Sequence, residues 1–120
     1  MLKIRDEQMK VFEEASLRNF EDRMVIHFRS NLLEQTKNMS EQDLRELIKM
    51  GIDRAELYEV TDEVDVERFL ECMVRYGSDF DTDPKTSWAG QILQDKSLSG
   101  TEKMNQIDDY ALFVLTIGKI

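Results

Sequence analysis

The run Tyr110-Ala111-Leu112-Phe113-Val114-Leu115-Thr116-Ile117 decides the fold class. Phe113, Val114 and Ile117 suit a strand. The same run also continues a helical stripe through Met104, Ile107, Ala111 and Leu115. A strand needs a partner, and no other segment of the chain offers a clear one. The helix is therefore the preferred reading. It starts near Thr101 and is apolar nearly all round from Tyr110 to Ile117, the pattern of a central, buried element.

The segments upstream read as helices too. Met9, Phe12, Phe20, Met24 and Phe28 recur at helical spacing, widened by Leu17, Val25 and Leu32. They predict one long helix from about Glu7 to Leu33, with Asp6 as its cap and Glu7 in its first turn. Gln35–Met39 is a polar turn. Ser40 opens a second helix, with Asp43 at the capping-box position, and Leu44, Leu47, Ile48, Gly51 and Ala55 form its stripe. Gly51 costs about 1 kcal/mol against Ala inside a helix, so a close helix approach is expected there. Thr61 or Asp62 opens a third helix with Val66, Phe69, Leu70, Met73 and Val74 on one face. Gly77 stands where a left-handed C-cap belongs. Ser78–Asp83 is a loop, and Asp83-Pro84 caps and starts a short helix carrying Trp88, Ile92 and Leu93. Ser97–Gly100 breaks it. The expectation is an all-α chain of about five helices, with residues 1–120 as a single helical domain.

The 120 residues suffice for one core that buries somewhat under about 70% of the unfolded surface. A hydrophobic share of 41% beside a charged share of 34% is a globular balance rather than a disordered one. The charge is unevenly placed. Residues 1–40 hold seven acids and seven bases, and residues 84–120 hold four of each. Residues 41–83 hold fourteen acids against five bases, which is the whole net charge of −9. Charge segregated this way marks a surface held for a basic partner. It argues against nucleic acid or an anionic membrane as partner, since both require a basic face. The first residues have no apolar signal core, and the longest apolar run, Ala111–Leu115, is too short to span a bilayer. A cytoplasmic protein is expected. The single Cys72 excludes an intramolecular disulfide and reads as a half-buried, inert thiol.

Motifs for chemistry are sparse. Asp79-Phe80-Asp81-Thr82-Asp83 spaces three carboxylates like the start of an EF-hand loop. The sixth position is Pro84 instead of Gly, and the twelfth is Gly90 instead of Glu. The favoured reading is an acidic turn, with Asp83 capping the next helix and Phe80 plugging the core. His27 is the only histidine, so no zinc site forms around it, and near Arg23 and Asn31 on a long helix it reads as a surface or edge residue rather than a base. There is no nucleophile elbow, P-loop or dinucleotide fingerprint. No enzyme activity, catalytic residue, cofactor or metal is expected. Seven methionines fill the stripes or, alternatively, build an adaptable apolar groove. Trp88 is core or, at a rim, an interface anchor. The residues expected to bind a partner are Glu56, Glu59, Glu63, Glu67, Asp79, Asp81, Asp83 and Trp88.

Three sets of residues carry a resemblance. The first is Phe20-Glu21-Asp22-Arg23-Met24 with His27-Phe28-Arg29. The second is Gly51-Ile52-Asp53-Arg54-Ala55 with Tyr58. The third is Asp65-Val66, Phe69-Leu70, Asp79 to Pro84 and Trp88-Ala89. In this order, over roughly residues 5–111, the chain resembles a family of small uncharacterised bacterial proteins. Their genes commonly sit beside the spike, PAAR-type tip and effector genes of type VI secretion systems. Two positions depart from the family pattern. It carries a Tyr-Gly-Ile-like step where this chain has Tyr58-Glu59-Val60, and often a proline where this chain has Ser87. The resemblance implies a setting and no catalytic residues. A cytosolic adaptor or chaperone for an effector, or for its loading on the spike, is the preferred expectation. The alternative is an immunity protein whose acidic face blocks a toxin domain. The partner is a protein in either case, and a homodimer is a further way of covering the apolar last helix.

Overall fold

The computed structural model describes the backbone of residues 2–118 and the side chains of residues 16–113. Among these residues there are six α-helices, one 3-10 turn and no strand, so the chain is all-α. The helices are α1 (Leu2–Asn31), α2 (Leu33–Thr36), α3 (Glu41–Leu57), α4 (Glu63–Tyr76), α5 (Ser87–Leu93) and α6 (Gly100–Gly118), with the 3-10 turn at Pro84–Thr86. The chain divides into two compact units, Met1–Lys49 and Met50–Ile120, with α3 running through the division.

In the first unit, α1 begins at Leu2, ahead of the cap expected at Asp6. The side chains of Asp6, Glu7, Met9 and Phe12 lie outside the described residues. Phe20, Met24 and Phe28 are buried, as their 3.6-residue spacing predicts. The helix stops at Leu32, whose backbone leaves helical geometry (φ −131°, ψ 46°), so the extra one-turn α2 follows. Arg29 holds this bend by donating to the Thr36 and Met39 carbonyl oxygens. Ser40 caps α3 as expected, its Oγ accepting from the Asp43 N–H at 3.0 Å. Arg45 on the same helix reaches back to α1, 2.8 Å from Asp22 and 3.4 Å from the buried Glu21.

The second unit is built on α4, whose Val66, Phe69, Leu70, Cys72 and Met73 are buried. The close approach expected at Gly51 is present. A Cβ there would lie 2.2 Å from Leu70 Cδ2 and 2.6 Å from Met73 Sδ. Asp62 occupies the N-cap position of α4 with extended backbone. Gly77 ends the helix with φ 112° but ψ 148°. This is an extended exit, not the left-handed cap expected, though it still needs a residue without a Cβ. α6 starts at Gly100, near Thr101 as expected, and Ser99 and Glu102 form a reciprocal capping box there. The Ser99 N–H donates to Glu102 Oε1 at 2.8 Å, and the Glu102 N–H to Ser99 Oγ at 3.1 Å.

The turn from α3 to α4 is a Schellman motif. The Val60 N–H donates to the Ala55 oxygen and the Glu59 N–H to the Glu56 oxygen, while Val60 and Ala55 are both fully buried. Glu59 sits at its left-handed position with φ 64°, where Gly is favoured over every residue carrying a Cβ. Glu59→Gly is expected to raise stability by about 1 kcal/mol, because relief of the left-handed strain outweighs the added freedom of the unfolded chain. Urea unfolding measures it, and a destabilised variant would contradict this account of the turn.

α6 corrects one expectation. Met104, Ile107 and Ala111 are buried, but Tyr110, Leu112 and Phe113 are exposed. The helix therefore buries one face over its described part rather than its whole circumference. Phe113 lies two residues beyond Ala111, roughly 200° round the helix, so the period set by the buried residues already turns it outward. The side chains of Val114 to Ile117 lie outside the described residues.

Candidate functional site

Two buried carboxylates organise the second unit. Asp81, only 4% exposed, accepts from Arg54 Nη1 at 3.1 Å and from the Tyr58 hydroxyl at 2.7 Å. Arg54 also donates to the Ser78 carbonyl oxygen, so a single α3 side chain fastens the loop between α4 and α5. Burial, followed by the bond to Asp81, pushes the Tyr58 phenol up to about 12. Asp65 is the second buried acid. It accepts from Arg68 Nη1 at 3.0 Å and from the Thr101 hydroxyl. Arg68 continues to Asp108 Oδ2 at 2.9 Å and Asn105 Oδ1 at 2.8 Å, joining α4 to α6. Lys103, 3% exposed, donates its ammonium to the Tyr58 carbonyl oxygen at 2.8 Å. A cation there complements the negative end of α3.

These pairs redistribute the charge of residues 41–83. Two of its five bases, Arg54 and Arg68, are committed to the buried Asp81 and Asp65. The net charge is then carried by the remaining side chains. Glu41, Asp43, Glu46, Asp53, Glu59, Asp62, Glu63 and Asp79 are exposed, and Glu56, Glu67, Glu71 and Asp83 are half-buried.

The residues expected to bind a partner fall into three groups. Glu56, Glu59, Glu63 and Glu67 lie along the end of α3, the Schellman turn and the start of α4. Asp79 and Asp81 meet at Arg54, with Asp79 3.7 Å away and 74% exposed. Asp81 is thereby corrected: it is an internal hydrogen-bond acceptor rather than a surface charge. Asp83 caps the 3-10 turn, its Oδ1 accepting from the Lys85 N–H at 2.9 Å, while Phe80 is fully buried. Asp79 and Asp81 thus converge on one Arg54 nitrogen, while Asp83 caps the next turn and Phe80 plugs the core, as the acidic-turn reading expects. Among the described residues no group of three or more His, Cys, Asp or Glu side chains is placed to hold a metal ion.

Trp88 falls in the third group. It is half-buried, stacked on Tyr110 with ring centroids 4.8 Å apart, and meets Tyr76 edge-on at 6.0 Å. Phe113 extends the row, 6.5 Å from Tyr110. Four aromatic rings from α4, α5 and α6 therefore form a strip whose outer end is open, with Tyr110 42% and Phe113 62% exposed. Trp88 is a rim residue of this strip, between its two sequence readings. Tyr110 and Phe113 lie in a continuous apolar run, where apolar content alone does not separate a buried face from an exposed one. Cys72 lies deeper than half-buried, and desolvation pushes its thiol up to about 12, which leaves it protonated and inert at neutral pH. Among the described residues no helix is long and apolar enough to cross a membrane.

No protein-family model, curated protein or solved structure matches this chain.

Proposed function

We propose that this chain is a non-catalytic protein-binding module of the cytoplasm. In this reading it is an adaptor or chaperone that holds a type VI secretion effector or helps to load it on the spike. The observation that carries the reading is the net charge of −9 on residues 41–83, which falls to the remaining, largely exposed side chains because Arg54 and Arg68 pair with the buried Asp81 and Asp65. Such a surface speeds and orients encounter with a basic partner.

The family setting has its own support. One departure from the pattern occurs where the backbone suits the family's residue: Glu59 has the φ of 64° that favours Gly. Ser87 does not add to it, because its N–H donates to the Pro84 oxygen and proline has no N–H.

An immunity protein is the second reading, favoured by the same charge. A −9 segment imitates a phosphate backbone and suits the basic cleft of a nuclease toxin. A tagged pull-down from the native cytosol, followed by an activity assay on whatever is captured, separates the two. Capture of a spike or tip protein, or of an effector through its non-toxic region with toxicity untouched, supports the adaptor. Capture of a toxin domain whose activity the chain then blocks supports immunity. Capture of neither sinks the proposal.

A further inference from the structure

The open end of the aromatic strip has a defined chemistry. Asp109 and Phe113 are four residues apart on α6, and Tyr110 and Phe113 three apart, so the three side chains share one face. Asp109 is exposed, as are Tyr110 and Phe113. Lys103, the one cation of α6 among its described side chains, is buried against the Tyr58 carbonyl. Every exposed charge on α6 among the described residues is therefore a carboxylate: Glu102, Asp108 and Asp109. Asp108 is tied to Arg68, whereas Asp109 lies one turn before Phe113.

We infer that the Asp109–Tyr110–Phe113 face of α6, backed by Trp88, is a docking surface for an arginine-bearing helical segment of a basic partner. The inference rests on the protein-binding reading above and names the chemistry of what binds. A guanidinium is flat and weakly hydrated, so it stacks on the Tyr110 or Phe113 ring while its N–H fork takes the Asp109 carboxylate. Lysine matches this pairing of ring and carboxylate less well, because its ammonium is a compact, strongly hydrated point charge. The apolar side of the segment covers Phe113. A second copy of this chain is the poorer occupant. Each copy carries −9, and self-pairing through α6 sets carboxylate against carboxylate.

Trp88 is the sole tryptophan and stacks on Tyr110, so its emission reports occupancy of the face directly. The test titrates the full chain with amphipathic helical peptides of about five turns built from Leu and Arg, Leu and Lys, or Leu and Glu. The Leu/Arg peptide is expected to shift Trp88 emission saturably, the Leu/Lys peptide more weakly, and the Leu/Glu peptide not at all. Phe113→Ser should weaken binding by about tenfold or more, and Asp109→Asn should weaken Leu/Arg more than Leu/Lys. Leu57→Ser, at an exposed leucine on α3, should change nothing. Phe113 and Asp109 are exposed, so both variants are expected to keep the helical circular dichroism of the parent.

Three results overturn the inference: no saturable shift, equal binding of the Leu/Glu peptide, or indifference to Phe113→Ser. A dimer in sedimentation that Phe113→Ser dissolves would also overturn it, by making a second copy the occupant. Suppose instead that a captured natural partner is released by reversing Glu59, Glu63 and Asp79 but held fully by Phe113→Ser. That result removes this face and leaves the protein-binding reading standing. A wild-type chain that captures no partner and binds no Leu/Arg peptide removes both.

Discussion

Asp81→Ala is expected to lower the unfolding free energy by about 3 kcal/mol. Removing one member of a buried ion pair costs more than the pair itself contributes, because the other member is left without compensation. Here the remaining groups are Arg54 and Tyr58, which donate to the two oxygens of Asp81. The Arg54 side chain is partly solvated, which holds the loss to the lower end of the range for buried pairs. Urea unfolding gives the stability. A spectrophotometric tyrosinate titration gives a second, local readout. The Tyr58 phenol, held up at about 12 by burial and by the Asp81 bond, should titrate closer to its ordinary value once the bond is gone. Asp81→Asn keeps an acceptor oxygen and should lose less on both readouts. An alanine variant as stable as the parent would mean that the loop is held by something other than Arg54.

Phe80→Ala is expected to cost about 4 kcal/mol. Phe80 comes from a loop, yet it is fully buried, with its ring edge-on to Phe69 at 5.1 Å. Phe69 in turn lies 6.1 Å from Tyr58. Truncation removes the transfer contribution of a large ring and leaves a cavity between residues that are held by helices and cannot collapse into it. The aromatic contact adds about 1 kcal/mol beyond the buried area. A marginally stable chain of this size would lose much of its margin. The denaturant midpoint should fall with the slope unchanged. A loss under about 1 kcal/mol would show that Ser78–Asp83 does not plug the core.

Asp81 and Phe80 also mark what can and cannot be read from sequence. Helix positions follow from local spacing, so α1, α3, α4 and α5 were legible from Phe20–Met24–Phe28, Ser40, Val66–Phe69–Leu70–Met73 and Asp83-Pro84. The approach at Gly51 was legible because a glycine in a helix stripe needs a reason. The loop residue Phe80 was legible as a plug because an aromatic among aspartates has nowhere else to go. Asp81 was not. Whether an acid in an acidic run faces water or a partner depends on Arg54, twenty-seven positions away, and no local pattern carries that. Asp65 is similar, since its partners Arg68 and Thr101 come from two helices. The capping box of α6 was also legible, because Ser99-Gly100-Thr101-Glu102 has the S-x-x-E form. The exposure of Phe113 was legible too, by continuing the Met104–Ile107–Ala111 period instead of reading apolar content alone. Partner identity is of another kind. Net charge and exposed rings define the chemistry of a binder but name no protein.

The measurement that bears most directly on the central claim is the association rate of the captured partner as a function of salt. Wild type would be compared with a variant carrying Glu59→Lys, Glu63→Lys and Asp79→Lys, which spares the internal Asp81. All three residues are exposed, so the fold should survive the reversal. The wild-type rate is expected to fall as salt rises, and the variant rate to be lower by about tenfold or more at low salt with a flattened salt dependence. Equal rates with the same salt dependence for both chains would contradict the claim that this acidic surface recruits the partner.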